Sequence, residues 1–199
     1  MSEREKTATG EGMKSRDIVL FLTSLGQGRP EFGRTSLQKA AYFSSLVLGR
    51  DLGHRAHYYG PFSSTVEREM EALVLSSLVE EKVQLLGFAN QIGFAAKQYE
   101  YKLTPSGEER VRELTGLYPK DADLLSGLVQ SLVEHAGKLD QRVLSAAAKV
   151  HYIARQEGRP VSVPDVPVSA RQLGWDLTDE QVEQVVHLLD KLSFIKVVK

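Results

Sequence analysis

The stretch TSLQKAAYFSSLVLG at residues 35–49, a short basic loop, and the stretch YYGPFSSTVEREMEALVLSSLVEE at residues 58–81 decide the fold. Apolar residues recur at helical spacing in both stretches, which predicts two amphipathic helices. Gly60-Pro61 marks a turn between them, and Ser63 or Ser64 is a plausible cap for the second helix. For the first helix, Thr35 or Ser36 is the predicted cap. We therefore predict a helix, a turn and a second helix.

A β-hairpin is predicted directly after these helices. Residues 83–88 and 98–103 form its strands, because Tyr99, Tyr101 and Leu103 alternate with charged residues. Thr104 and Pro105 then begin another helix. The predicted fold class is mainly α (α+β): a winged helix-turn-helix with a β-hairpin wing, followed by a C-terminal helical or second winged-helix-like unit.

The chain divides into three predicted parts. Residues 1–12 are polar and glycine-containing and are expected to be a disordered tail. Residues 13–118 form the winged-helix domain, which starts with a helix ending at Gly26. Residues 119–199 form the C-terminal unit, with helices over 120–137, 139–156 and 178–192. In that unit we expect an irregular segment at 161–167, a short helical turn at 169–175 and a short strand at 194–198.

Composition excludes several classes of protein. With 42% hydrophobic and 26% charged residues, the 199-residue chain can bury a core. A net charge of −1 disfavours a strongly electrostatic nucleic-acid binder. The absence of cysteine excludes disulfides, thiolate metal sites and cysteine nucleophiles. No apolar run approaches the roughly 20 residues that span a bilayer, so we expect a cytoplasmic protein without a membrane partner.

Charged and aromatic residues near the turn are the candidate contacts for a partner protein or nucleic acid. Residues 50–57 are either a solvated connector or a contact for a phosphate or partner, and the nearby aromatic rings are either core or interface. Gln38 and Lys39 fall off the inner face of their helix and are expected to be exposed. Two histidines without further ligands do not make a metal site. The candidates are Arg34, Gln38, Lys39, Arg50, His54, Arg55, His57, Tyr58, Tyr59 and Phe62.

The helix after the turn and the predicted wing tip both argue against direct DNA reading. Glu67, Glu69 and Glu71 face outward from that helix and repel phosphate. The predicted tip, residues 89–97, carries one charge at Lys97 and two large apolar residues at Ile92 and Phe94. An apolar tip of this kind favours a protein contact or packing against another part of the chain.

Two blocks of sequence carry a family resemblance. Leu37-Gln38-Lys39 with Tyr42-Phe43, and Tyr59-Gly60-Pro61-Phe62-Ser63, resemble the pattern of the YwgA-like and Panacea (SocA-like) winged-helix proteins of bacteria and archaea. The resemblance covers about the first 115 residues. Some Panacea-type members are associated with toxin–antitoxin systems. The resemblance implies a small cytoplasmic interaction module, for which an antitoxin-like scaffold is one form, and it supplies no catalytic residues.

No catalytic motif emerges from the spacing of acids, histidines or glycines. Walker A, GxGxxG, HExxH and GxSxG patterns do not occur. We predict a non-catalytic protein-binding or regulatory module that has no cofactor and no small-molecule ligand, and that binds a partner protein or a second copy of itself. A DNA-binding regulator or DNA-processing accessory protein is the first alternative. An enzyme whose groups converge from distant positions is the second.

Overall fold

The computed structural model describes residues 12–29, 31–88, 95–136, 141–158 and 162–196. These residues form mostly helix, with one two-stranded antiparallel hairpin, so the mainly helical α+β class is confirmed. The elements are α1 (Ser15–Gly26), α2 (Arg34–Val47), α3 (Ser64–Leu75), β1 (Val79–Phe88), β2 (Ala95–Leu103), α4 (Pro105–Leu117), α5 (Pro119–Ala136), α6 (Gln141–Glu157), a 3₁₀-helix (Val163–Asp165), α7 (Val166–Gln172) and α8 (Asp179–Lys191).

The first three helices follow the prediction, with small differences at their starts. Helix α1 packs on α2, α3 and α4 through a face that is almost wholly buried. Helix α2 begins at Arg34 behind Gly33, ahead of the predicted caps, and the Ser36 hydroxyl donates to the Glu31 carbonyl instead. Ser63, one of the two predicted caps, accepts from the Val66 N–H at the start of α3.

The hairpin is longer than predicted on both strands. Val79 pairs with Leu103 and Val83 with Tyr99, so one face carries the odd-numbered residues of both strands. Near the body of the protein this face is buried at Val79, Tyr101 and Leu103. The predicted wing tip lies mostly outside the described residues, at 89–94, and the described Lys97 belongs to β2. Thr104 caps α4 and Pro105 occupies its first turn, as predicted.

The C-terminal part packs against α2 through two of its helices. Both α5 and α6 contact α2, α6 contacts α8, and the buried side chains of the two parts form one cluster. Helix α8 begins with the predicted cap, in which Thr178 and Gln181 exchange hydrogen bonds. Residues 1–11, which include most of the predicted tail, and residues 137–140 lie outside the description.

Two predictions for the C-terminal part are wrong. Residues 163–167 are not irregular, because Pro164 and Pro167 lie in the first turns of the 3₁₀-helix and α7. A backbone N–H in a first turn has no partner within the helix, so a proline there costs no hydrogen bond. Residues 194–196 form no strand, and 197 and 198 lie outside the described residues. Ser193 takes a left-handed backbone conformation, and the Phe194 ring then packs against Phe43.

None of the helices in the described residues combines the length and apolarity required to cross a membrane.

Candidate functional site

Residues 55–62 form a closed loop, which we call the aromatic loop. The backbones of Arg55 and Phe62 exchange two hydrogen bonds, each 2.9 Å long, which close its base. Inside the loop, the Gly60 N–H donates to the His57 carbonyl at 2.9 Å. Gly60 has a φ of +95°, a conformation that favours glycine, so the Gly60-Pro61 turn depends on the absence of a side chain here.

The tip of the aromatic loop presents two tyrosine side chains to solvent. Tyr58 is 72% exposed and Tyr59 is 59% exposed. Their ring centroids lie 4.8 Å apart with the ring planes nearly perpendicular, so each ring limits the movement of the other. The His57 ring lies against Phe62 at the base of the loop, with centroids 5.0 Å apart.

Helix α2 holds the aromatic loop from inside the protein. The Lys39 ammonium donates to the Pro61 carbonyl at 2.6 Å. The Gln38 amide makes two bonds to Ser63: its Nε2 donates to the Ser63 carbonyl and its Oε1 accepts from the Ser63 N–H, both at 3.0 Å. These contacts give partners to the Pro61 carbonyl and the Ser63 N–H, while the Ser63 carbonyl also accepts from the Glu67 N–H of α3. The LQK and YGPFS blocks therefore hold one another together.

The predicted exposure of Gln38 and Lys39 is wrong, because both side chains are buried, with 3% and 2% of their surface exposed. Helical spacing predicts one buried face for α2, whereas in the structure the aromatic loop also covers Gln38 and Lys39, and α1, α5 and α6 contact the helix as well. Gln38 and Lys39 therefore support the loop from beneath it.

Lys39 has an unusual electrostatic environment. Burial, and then the positive charge of Lys149, lowers the pKa of Lys39 from 10.5 to about 7. The Lys39 ammonium forms no salt bridge with any carboxylate that the structure describes. Its hydrogen-bond partner is the neutral carbonyl of Pro61, which does not offset the loss of hydration as a carboxylate would.

The C-terminal part supports the aromatic loop from its other side. The Trp175 indole Nε1–H donates to the His57 carbonyl at 2.7 Å. The Trp175 side chain is itself buried, with the Tyr152 ring edge-on at 5.7 Å and the Lys149 ammonium 5.8 Å from its ring centroid. A Cβ on Gly60 would lie 3.1 Å from Cγ of Lys149, so the turn is packed closely against α6.

A second layer of buried polar rings lies behind the loop. The Tyr42 hydroxyl and His151 Nδ1 are 2.7 Å apart, which joins α2 to α6. His54 packs edge-on against the Tyr42 ring at 5.3 Å, and its ring nitrogens are buried close to the backbone of Gln38. Burial lowers the pKa of His54 to about 4 and likewise the pKa of His151 to about 4. Both imidazoles are therefore neutral at neutral pH.

The predicted candidates separate into three groups. Arg55, His57, Tyr58, Tyr59 and Phe62 come together in the aromatic loop, while Gln38, Lys39 and His54 lie beneath it. Arg50 lies elsewhere and pairs with Asp121 at 3.0 Å, so residues 50–57 are not a solvated connector throughout. Arg34 also lies elsewhere, paired with Glu67 and resting on the Tyr99 ring.

Sequence reasoning missed the loop supports that come from distant parts of the sequence. Lys149, His151 and Trp175 lie about a hundred residues from the loop in sequence, and no local spacing connects them to it. One signal was present, because Trp175 is the single tryptophan of the chain. Buried tryptophan commonly uses its N–H for a specific bond.

The described residues contain no group of three or more histidine, aspartate or glutamate side chains placed to hold an ion.

Comparison of the chain with models of known protein families, and with characterised proteins, finds no match. The resemblance to the YwgA-like and Panacea proteins stays a prediction.

Proposed function

We propose that this chain is a non-catalytic interaction module that holds a partner protein through the aromatic loop. The observation that carries the proposal is the pair of exposed tyrosine rings on a backbone fixed by buried side chains. Tyrosine offers a large contact area for little loss of side-chain entropy, and it is enriched at interfaces. Because the loop is already ordered, little further conformational entropy is lost when it binds a partner.

The charges of the loop indicate the kind of surface that it meets. Arg55 and His57 are exposed beside the two tyrosines, and Arg55 forms no salt bridge in the described part of the chain. The half-buried Lys149 adds a further positive charge beneath the turn. A partner with an apolar pocket and acidic groups at its rim complements this arrangement.

The order of helices and hairpin supports a winged-helix scaffold for this module, and the resemblance supports a regulatory or antitoxin-like role. A DNA-binding role is the alternative. Two exposed tyrosines beside Arg55 suit stacking with single-stranded bases. Against duplex DNA, helix α3 carries three glutamates, Glu67, Glu69 and Glu71, and one arginine, a balance that repels phosphate.

The enzyme alternative draws on Lys39, because its pKa lies near neutrality. The Lys39 ammonium is buried and held by the Pro61 carbonyl, so no substrate reaches it without displacing the loop. The contact with Pro61 accounts for the buried position of Lys39 as a support of the aromatic loop, without a catalytic role.

Partner capture tests the proposal. The wild-type chain, the variant Tyr58→Ala/Tyr59→Ala and the control Leu117→Ala serve as baits in lysate of the source organism. Leu117 is an exposed apolar residue on α4, so its variant removes similar surface away from the loop. We expect the wild-type and control baits to retain one protein in similar amounts. The double variant should retain less of that protein by roughly ten-fold or more, as removal of two interface tyrosines predicts.

Equal retention by all three baits would contradict the proposal. Titration of duplex and single-stranded DNA at low and moderate salt tests the alternative. A steep loss of affinity with salt, abolished in the double variant, would identify nucleic acid as the partner.

A further inference from the structure

A second candidate surface lies between α3 and the hairpin, separate from the aromatic loop. It is a groove of about 300 Å³ that we call the acidic groove. Its walls come from the start of α2, one side of α3 and the odd-numbered face of the hairpin. The lining residues used below are Arg34, Glu67, Glu71, Glu81, Lys97 and Tyr99.

One end of the acidic groove is fixed by a set of internal contacts. The Arg34 guanidinium pairs with the Glu67 carboxylate and lies 5.2 Å from the centroid of the Tyr99 ring. The positive charge of Arg34 is therefore balanced by Glu67 within the protein. Glu81 lies beside the Tyr101 hydroxyl and raises the pKa of that group, which burial has already raised. These contacts hold the side chains at the base of the groove in place.

The charge that remains in the groove is negative. Glu71 and Glu81 are exposed and form no salt bridge with any residue in the described ranges. Against these two carboxylates stands one ammonium, that of Lys97, which is exposed on β2. Phosphate is repelled by this balance, whereas lysine or arginine side chains are attracted to it.

The hairpin adds an apolar strip to the same surface. Val83 and Leu85 share the strand face of the buried Val79, since side chains alternate along β1. Farther from the body of the protein, no other element buries this face: Val83 is 47% exposed and Leu85 is 68% exposed among the described residues. The same surface thus carries two large apolar side chains and two carboxylates that form no salt bridge in the described ranges.

We infer that the acidic groove binds an extended basic segment of a partner protein, in which lysine or arginine alternates with apolar residues. Basic side chains on the face toward α3 reach Glu71, and apolar side chains on the face toward the hairpin cover Val83 and Leu85, while Glu81 at the inner end of the hairpin wall meets a basic side chain at the end of the segment. An extended segment fits because its side chains alternate with the same period as those of the hairpin. No residue of the aromatic loop lines the groove, so the two surfaces are separate.

Fluorescence anisotropy with synthetic peptides tests this inference directly. The probe is a labelled peptide of about eight residues that alternates lysine with valine or leucine, and its partner probe has glutamate in place of lysine. The full chain is compared with Glu71→Gln/Glu81→Gln and with the control Glu108→Gln/Glu109→Gln on the exposed face of α4. We expect the basic peptide to bind wild type and control, and the groove variant to bind roughly ten-fold more weakly, as loss of two charge contacts predicts.

Amide chemical shifts locate the peptide, and we expect the largest changes in α3, β1 and β2. Several results would overturn the inference: no binding of the basic peptide, equal binding of the acidic peptide, equal affinities of groove and control variants, or shifts confined to another surface. The single variant Glu71→Gln repeats the comparison without altering the contact between Glu81 and Tyr101, so a local change at Tyr101 does not explain a loss of binding.

Discussion

Lys39 shows at the scale of one residue how a buried polar group can define a loop. Its stem fills space between α2 and the turn, and its ammonium meets the Pro61 carbonyl. The bond fixes the position of Pro61, but burial makes the charged form costly. The result is a lysine that orders the loop and makes the stability of the protein depend on pH.

Stability should rise with pH between neutrality and mild alkalinity because of Lys39. In the unfolded chain the lysine is protonated below 10.5, whereas in the folded chain its pKa is about 7. The unfolded state therefore binds more protons in this window, and folding becomes more favourable as pH rises, by about 2 kcal/mol from pH 7 to 9. Urea unfolding at both pH values measures this slope.

We expect Lys39→Met to remove most of that slope, while Lys120→Met, at an exposed site on α5, keeps it. A slope in Lys39→Met equal to that of wild type would show that Lys39 has an ordinary pKa. Histidine contributes little to this slope, since His54 and His151 are neutral in the folded state and mostly neutral in the unfolded state at pH 7 and above.

The Tyr42–His151 bond should be measurable by a double-mutant cycle. Tyr42→Phe leaves His151 Nδ1 without its partner, and His151→Leu leaves the Tyr42 hydroxyl without one, so each should cost about 1–3 kcal/mol. The double variant should cost less than the sum, with a coupling of at least ~0.5 kcal/mol. Free energies of unfolding at pH 7.5 supply the cycle, and strictly additive losses would show that the bond contributes nothing.

At the scale of elements, the aromatic loop depends on side chains from α2, α6 and the segment after α7. Apolar periodicity, caps and turn residues predicted most helices and the hairpin, because those signals are local. Burial of Lys39 was not predicted, since a polar residue counts as exposed until the element that covers it is known. The contact from Trp175 was not predicted, since it depends on how distant elements pack.

Replacing Trp175 should loosen the aromatic loop more than the rest of the protein. Trp175→Phe keeps a ring in place but removes the N–H that donates to the His57 carbonyl. We expect the free energy of unfolding to fall by about 1 kcal/mol and exchange of the Gly60 amide to become roughly ten-fold faster. Tyr152→Phe keeps the ring packing and serves as control. Unchanged exchange at Gly60 in Trp175→Phe would show that the indole does not hold the loop.

At the scale of the whole molecule, the two parts of the chain share buried surface along α2. The Asp121 carboxylate of α5 also accepts from the Met13 N–H at 2.7 Å and pairs with Arg50, which joins three distant segments. A shared core of this kind favours a single cooperative unfolding transition.

Two probes should therefore report the same unfolding midpoint. Trp175 fluorescence follows the C-terminal part, and amide signals of α1 follow the N-terminal part. We expect both to change at one urea concentration. Separate midpoints, with either part unfolding first, would show that the parts are independent domains and that α2 does not couple them.

Site-specific photo-cross-linking tests the central claim, that the aromatic loop is the contact for a partner protein. A benzophenone side chain replaces Tyr59 in cells of the source organism, and the control carries the same group at Leu117. We predict a protein adduct of one defined mass at Tyr59 that resists nuclease and does not form at Leu117. No adduct at Tyr59, or the same adducts at both positions, would contradict the claim.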